Sequence, residues 1–145
     1  MNIKFFYDKV KFRVKGAGEI KTFLGEVIAD EKKSPGDLNF IFTGDEHLLS
    51  INQEFLKHSC FTDVIAFDNS INNIVSGEVY ISVEALRRNA KLYNVRLSEE
   101  LIRVMIHGTL HLCGFMDKDD KSKNIMFKRQ EQLVRKFAKR KGDGL

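Results

Sequence analysis

The sequence has no long apolar segment. No run of residues reaches the roughly 18 consecutive apolar residues that a transmembrane helix requires. The N-terminal segment, Met-Asn-Ile-Lys-Phe-Phe-Tyr-Asp, also lacks the apolar core and the small-residue cleavage site of a signal peptide. From these two absences we expect neither export nor membrane insertion, and therefore a cytoplasmic protein.

Cysteine is scarce: Cys60 and Cys113 are the two in the sequence, and they form no Cys-x-x-Cys pair. A redox-active pair or a zinc site built on thiolates is therefore disfavoured. We expect two free thiols in a reducing compartment. Internal repeats and low-complexity linkers are also absent. With a length of 145 residues, this predicts one domain over 1–145, large enough to bury a core without disulfides.

The net charge is modest, at +4, but basic residues are concentrated towards the C-terminal end. Such a segment suits a polyanionic partner, because each phosphate contact releases counterions. It is equally typical of a solvated helix face followed by a basic tail, so the charge pattern alone leaves both interpretations open. The residues concerned are Lys121, Lys123, Lys128, Arg129, Arg135, Lys136, Lys139, Arg140 and Lys141.

The spacing of apolar residues predicts nine elements in the order β, α, β, α, β, β, α, α, α. Alternation predicts a first strand near the N-terminus, an extended segment to residue 14, and strands at 38–43, 64–67 and 74–82, the last two paired as a hairpin. Helical spacing predicts helices at 19–33, 45–56, 83–94, 98–113 and 120–139. This order predicts an α/β (α+β) fold in which five helices cover a small mixed sheet of about four strands.

Polar residues that precede the helical segments are candidate caps. We expect Asp45 and Ser82 to cap the second and third helices, and Ser98, followed by two glutamates, to cap the fourth. The last helix is expected to bury one apolar stripe together with the aliphatic part of Arg129. The other members of that stripe are Ile125, Met126, Leu133 and Phe137.

The segment 101–117 combines an apolar helix with the pattern His-x-x-x-His-x-x-Gly-x-x-Asp. At about 100° per residue, Arg103, His107 and His111 share one narrow sector of the helix. The remaining positions are almost all apolar, which predicts a buried helix. An unpaired buried polar group costs roughly 1–3 kcal/mol, and a shared metal ion would satisfy both imidazoles at once. Two hydrogen-bonded histidines are the alternative interpretation.

Gly114 and Asp117 favour the metal. Glycine permits the left-handed backbone that ends a helix, and the next turn would bring Asp117 back over the histidine face. His107, His111 and Asp117 would then give zinc three ligands and leave the fourth position open, as in catalytic zinc sites. The sequence therefore predicts a zincin-like metal helix that binds one Zn²⁺ ion per chain.

Gly108 stands directly after His107, where a zinc protease of the His-Glu-x-x-His type carries its general base. Zinc-dependent hydrolysis of peptides or small amides therefore has no evident base and is the least favoured function.

Polar residues near two strand ends are candidate substrate-pocket residues. Thr62 and Asp63 precede the third strand, and Glu78 lies in the fourth. Each is compatible with a position facing the histidine helix, where Arg103 is the fourth candidate. Thr62 and Asp63 are equally compatible with a simple turn, and Glu78 with a solvent-facing position. No catalytic residue beyond the metal ligands is identified.

With these residues in place, the chain resembles the YbeY family of bacterial endoribonucleases, also described as rRNA maturation factors. The segment His107-Gly108-Thr109-Leu110-His111-Leu112-Cys113-Gly114-Phe115 matches the family signature His-Gly-x-Leu-His-Leu-x-Gly-aromatic. Three upstream segments are similar to the family in the same order: Ile51-Asn52, Thr62-Asp63-Val64 and Ser76-Gly77-Glu78-Val79-Tyr80-Ile81-Ser82.

Two positions depart from the family pattern. Asp117 stands where the family usually has a third histidine ligand, and a carboxylate is an acceptable zinc ligand. Leu56 stands where the family commonly has an arginine. A guanidinium there would stabilise phosphate charge, which leucine cannot do, and Arg103 is the candidate substitute.

The resemblance implies a zinc-dependent, single-strand-specific endoribonuclease that acts in ribosomal RNA maturation, at the 3′ end of 16S rRNA, and in ribosome quality control. Its implied partners are single-stranded RNA and the ribosome. A non-catalytic, ribosome-associated assembly factor that binds RNA and holds a structural metal is the alternative, motivated by Leu56.

Overall fold

A computed structural model describes residues 2–56 and 63–142 of the chain. The predicted order of strands and helices is confirmed. The elements are β1 (Asn2–Tyr7), α1 (Ala17–Asp30), β2 (Ser34–Thr43), α2 (Asp45–Ile51, continued by a π-helical turn over Asn52–Leu56), β3 (Val64–Asp68), β4 (Ile74–Ser82), α3 (Val83–Leu92), α4 (Leu97–Leu112) and α5 (Asp120–Arg140).

The four strands form one mixed sheet in the order β1-β2-β4-β3. β1 pairs with β2 and β2 with β4 in parallel, whereas β3 runs antiparallel to β4. The predicted hairpin between the last two strands is therefore confirmed. Because side chains alternate across a strand, β4 sends Val75, Val79 and Ile81 to one face and Glu78 and Tyr80 to the other.

One face of the sheet carries the main core. Phe40 and Phe42 from β2 are fully buried there together with apolar residues of α1, α4 and α5. α4 approaches the sheet closely at Gly108, where a Cβ atom would lie 2.7 Å from Cγ1 of Val79. This contact sets the distance between α4 and β4. It thereby also fixes the position of the α4 surface that points away from the sheet.

The opposite face is covered only in part. A small cluster of Leu48, Ile51 and Ile65 packs α2 against β3, with Phe67 and Tyr80 at its edge. Glu78 belongs to this second face of the sheet. No helix within 2–56 or 63–142 combines the length and the apolar character needed to cross a membrane.

Two of the three predicted caps are wrong. α2 begins at Asp45 itself, and the carboxylate accepts hydrogen bonds from Ser82 and Arg88 instead of capping its own helix. α4 begins at Leu97 after an extended Arg96, so Ser98 lies inside the first turn. The third cap is confirmed, because the Ser82 hydroxyl accepts from the N–H of Ala85.

Two local expectations about burial and boundaries are also corrected. α1 ends at Asp30 instead of residue 33, and β2 begins at Ser34 instead of residue 38, because Ser34 and Pro35 pair with the start of β4. In α5, Ile125 is about half exposed, at 52%, and Gln130 occupies the buried stripe with Met126, Leu133 and Phe137.

Candidate metal centre

The end of α4 and the turn that follows it build the site. α4 ends at Leu112, and Gly114 takes a positive φ of 103°, as the helix stop predicted. The N–H of Phe115 then donates to the carbonyl of Leu110 at 3.0 Å, which turns the chain back over the last helical turn. Cys113 is buried beneath this turn as a free thiol, and burial raises its pKa to about 11. Cys60 lies outside the described residues.

His107, His111 and Asp117 converge at the surface of this turn. The two imidazole Nε2 atoms are 3.1 Å apart, and His111 Nε2 is 3.5 Å from Asp117 Oδ2. One ligand atom from each of the three residues lies within 4.8 Å of the other two. The three predicted ligands are therefore close enough to bind a single metal ion.

Hydrogen bonds on the far side of each ring decide which nitrogen faces the site. His107 Nδ1 is 2.7 Å from Gln130 Oε1, and the amide nitrogen of Gln130 donates to Glu131 at 3.1 Å, so the glutamine oxygen is the acceptor. His111 Nδ1 lies 3.2 Å from the carbonyl of Phe115. Both Nδ1 atoms are thus donors, as in metal-ligating histidines whose second nitrogen binds an acceptor.

This assignment leaves a lone pair on each Nε2. Two lone pairs 3.1 Å apart, with a carboxylate oxygen beside them, repel one another unless a cation lies between them. Nitrogen and carboxylate oxygen are also the ligand atoms that zinc takes in proteins. The donor set therefore fits a divalent metal ion.

The lowered pKa of His111 favours the neutral imidazole, which is the form that binds a metal ion. Burial lowers the pKa of His111, and the neighbouring His107 lowers it further, while Asp117 acts in the opposite direction. A metal binds the neutral imidazole, so a lowered pKa keeps the ligand in its binding form.

Arg103 lies on the same helix face, one turn before His107, but its guanidinium is engaged. It donates to Glu131 at 2.9 and 3.0 Å, to Glu100 at 3.2 Å and to Glu99 at 3.0 Å. The hydrogen bonds to Glu131 are the largest cause of a raised pKa for Arg103. With three carboxylates around it, Arg103 does not replace the family arginine as a free phosphate-binding group.

The other predicted pocket residues are Thr62, Asp63 and Glu78. Asp63 lines a cavity beside α4 together with Arg103 and His107. Glu78 lies on the sheet face opposite α4 and accepts a hydrogen bond from Asn69 at 3.3 Å, so the structure does not bring it to the histidines. Thr62 lies outside the described residues, as does the side chain of Leu56.

Two further residues at the site were not predicted. Gln130 from α5 holds His107, and its signal in the sequence was a polar residue inside an apolar stripe, which requires a buried partner. Lys123 lines a second cavity, of about 410 Å³, with His107 and Asp117. No hydrogen bond or ion pair engages the side-chain ammonium of Lys123 within the described part of the chain, and nothing in the sequence distinguished it from the other basic residues of α5.

Comparisons with known proteins are consistent with this geometry. A sequence profile of the family described as Endoribonuclease YbeY matches residues 5–138. The endoribonuclease YbeY of Christiangramia forsetii is 39% identical over 132 residues, which cover 91% of this chain and 92% of that protein. That of Flavobacterium psychrophilum is 41% identical over 135 residues, covering 93% and 96%. The solution structure of TM1509 from Thermotoga maritima superposes with a TM-score of 0.68 at 26% identity, covering 97% of this chain and 92% of that one.

Proposed function

The chain belongs to the YbeY family of endoribonucleases, and on this basis we propose that it is a zinc-dependent, single-strand-specific endoribonuclease. We propose ribosomal RNA as the substrate, with maturation of the 16S rRNA 3′ end and ribosome quality control as its roles. The proposal entails a cytoplasmic location with the ribosome as partner. The observation that carries it is the convergence of two imidazole lone pairs and one carboxylate on a common point.

His107, His111 and Asp117 would hold the zinc ion. When bound, zinc supplies Lewis acidity towards a phosphoryl oxygen and a water molecule activated near neutral pH. Gln130 and the carbonyl of Phe115 hold the two Nδ1 atoms, so both Nε2 atoms would be available to the ion. An aspartate in place of a third histidine adds one negative charge, which lowers the net positive charge of the loaded site.

Lys123 is the residue best placed to meet the RNA backbone. It shares a cavity with His107 and Asp117, and its ammonium has no protein partner within the described residues. A free cation beside the metal ligands attracts the phosphodiester and offsets the charge that develops on it. Lys123 would thus supply part of the phosphate stabilisation that the family's arginine provides at position 56.

Gly108 excludes the base of a zinc peptidase. It lies against Val79 of the sheet, so the position after His107 faces the core and not the solvent-exposed ligand side. Even a glutamate there would have no space, because a Cβ alone would lie 2.7 Å from a valine methyl group.

The alternative is an RNA-binding assembly factor with a structural metal. It is favoured by Arg103, whose engagement with three carboxylates leaves α4 without a free guanidinium beside the ligands. This alternative requires salt-sensitive RNA binding without metal-dependent cleavage.

One comparison separates the two functions. Purified wild-type protein is expected to contain close to one zinc per chain and to cleave single-stranded RNA but not duplex RNA. His111→Ala should lose both the metal and the cleavage, because two ligands hold zinc far less tightly than three. His47→Ala is the matched control: His47 lies in α2 and hydrogen-bonds Thr43 at the end of β2, away from the metal ligands, and both properties should remain. Metal-loaded wild-type protein that binds RNA without cleaving it would establish the assembly factor instead.

A further inference from the structure

A cavity of about 510 Å³ opens beside His107, where α3 and β3 meet the outer faces of α4 and α5. Two aromatic rings lie at its rim: Tyr93 is 62% exposed and Phe127 is 61% exposed. Neither ring contributes much to the folded core at such exposure, so both are available to a ligand. The apolar part of the wall is completed by Val64, Val95 and Val104.

The polar part of the wall offers hydrogen-bond acceptors. Asn89 donates to one carboxylate oxygen of Asp63 at 3.2 Å. Among the residues that the structure describes, no other side chain donates to this pair, so the second oxygen of Asp63 and the amide oxygen of Asn89 can accept from a ligand. Arg103 is the cation of this wall, and Glu131, Glu100 and Glu99 already engage it. A phosphate would meet mainly carboxylates here, whereas a group that carries N–H donors would find acceptors.

Resting on the RNA substrate proposed above, we infer that this cavity is a nucleobase pocket, in which Tyr93 and Phe127 offer stacking surfaces and Asp63 accepts from an exocyclic amino group. Bases of single-stranded RNA are recognised by stacking on aromatic rings and by hydrogen bonds to their edges. Adenine, cytosine and guanine carry such an amino group and uracil does not. The pocket therefore selects an amino-bearing base.

The pocket adjoins the proposed position of the scissile phosphate. His107, Phe127 and Gln130 line both this cavity and the one that contains Lys123 and Asp117. A strand whose phosphate lies near Lys123 and the metal ligands can extend one neighbouring base past Phe127 into the pocket. A base held in a duplex is stacked and paired, so it cannot enter, which gives single-strand specificity a structural origin.

Tyrosine fluorescence reports on the pocket without any cleavage. The sequence has no tryptophan and three tyrosines. Tyr7 stacks on Phe42, and Tyr80 lies on the opposite sheet face against Phe67. Chelator-treated wild-type protein would be titrated with oligoadenylate and oligouridylate of equal length. We expect oligoadenylate to quench the emission and to bind roughly tenfold more tightly than oligouridylate, because both bases can stack but only adenine donates an amino N–H to the carboxylate of Asp63.

Variants assign the binding to the pocket. Phe127→Ala should weaken oligoadenylate binding roughly fivefold or more, and Tyr93→Leu should abolish the quenching. Leu92→Ala is the control for Tyr93→Leu, because Leu92 is the neighbouring exposed apolar residue, at 73% exposure, and does not line the cavity. Phe6→Ala is the control for Phe127→Ala, because Phe6 is a half-exposed phenylalanine on the other face of the sheet. Asp63→Asn replaces an acceptor oxygen with an N–H donor, so the preference for adenine over uracil should fall.

Equal binding of the two oligonucleotides by wild-type protein, or equal losses in Phe127→Ala and Phe6→Ala, would overturn the nucleobase pocket. The proposed function fails differently: it fails if metal-loaded protein does not cleave RNA. Cleavage without base preference removes the pocket and keeps the nuclease, whereas base preference without cleavage keeps the pocket and removes the nuclease.

Discussion

Gln130 determines which ring nitrogen of His107 is available to a metal ion. Its amide oxygen accepts from His107 Nδ1 while its amide nitrogen donates to Glu131, so it cannot reverse its orientation without losing both hydrogen bonds. Burial raises the pKa of Glu131, but hydrogen bonds from Arg103 and Gln130 outweigh this and lower it overall. A charged Glu131 therefore holds Gln130, and Gln130 holds the imidazole.

Replacing Gln130 with leucine tests this arrangement. Gln130→Leu keeps an apolar stem but removes the acceptor, so His107 is free to present the wrong nitrogen. We expect zinc affinity to fall roughly 10–100-fold, the usual effect of losing such a partner. Competition with a chelating dye would measure the affinity.

Gln132→Leu is the control, because it makes the same substitution at an exposed position of α5. Equal zinc affinity in both variants would show that the hydrogen bond to His107 does not orient the ligand.

At the scale of whole elements, the height of α4 above the sheet depends on Gly108. An added Cβ atom would lie 2.7 Å from Cγ1 and 3.2 Å from Cγ2 of Val79, a β-branched side chain with little rotational freedom. The helix that carries both histidines would have to move outwards to admit it.

Gly108→Ala should therefore destabilise the protein by about 1–3 kcal/mol, the usual range for overpacking a core, despite the gain in helix propensity of about 1 kcal/mol. Gly18→Ala in α1 is the control, because a Cβ atom there meets nothing within 4 Å. That substitution should be neutral or stabilising. Urea unfolding followed by circular dichroism measures both, and a Gly108→Ala protein as stable as Gly18→Ala would refute the close contact.

Asp45 joins α2 to α3 and to the end of β4. A hydrogen bond from Arg88 and another from Ser82, at 2.7 Å, lower the pKa of Asp45 against the opposing effect of burial. A carboxylate whose pKa is lower in the folded state stabilises the fold above its unfolded pKa, and that stability is lost as the pH falls through the folded value.

Asp45→Asn should therefore lower the urea midpoint at neutral pH, and the difference from wild type should disappear at a pH well below 3.8, the ordinary pKa of the group. Glu46→Gln removes a neighbouring exposed carboxylate of α2 and should leave the midpoint unchanged at both values. A difference for Asp45→Asn that persists in acid would exclude the charge as its source.

On the scale of the whole molecule, the candidate metal centre joins parts of the chain that are far apart. The ligands come from a single segment of 11 residues, 107–117, whereas their supports come from α5 and, through α4, from the sheet. A ligand that binds only this folded arrangement stabilises the entire domain.

Zinc should accordingly raise the melting temperature. At a free zinc concentration of about 100 times the dissociation constant, binding adds about 2.7 kcal/mol, which corresponds to a rise of roughly 5–10 °C for a chain of this size. A chelator should reverse the rise, and His111→Ala should show none. A rise of the same size in His111→Ala would mean that the ion binds elsewhere.

The sequence by itself determined what depends on local periodicity. Strand and helix order, the hairpin of β3 and β4, and the shared helix face of His107 and His111 all follow from spacings of two or 3.6 residues. The proximity of Asp117 to the two histidines also depends on local sequence, because a single turn at Gly114 connects Asp117 to α4. Such features need only the geometry of a few consecutive residues.

Only the tertiary structure decided which groups from other elements meet these residues. It brought Gln130 against His107, placed Lys123 in a cavity that His107 also lines, engaged Arg103 with three carboxylates, and left Glu78 on the far side of the sheet. Alternation separates Glu78 from Val79, but which of them faces α4 depends on where that helix packs. These outcomes are set by contacts between residues distant in sequence, whose energies no local spacing encodes.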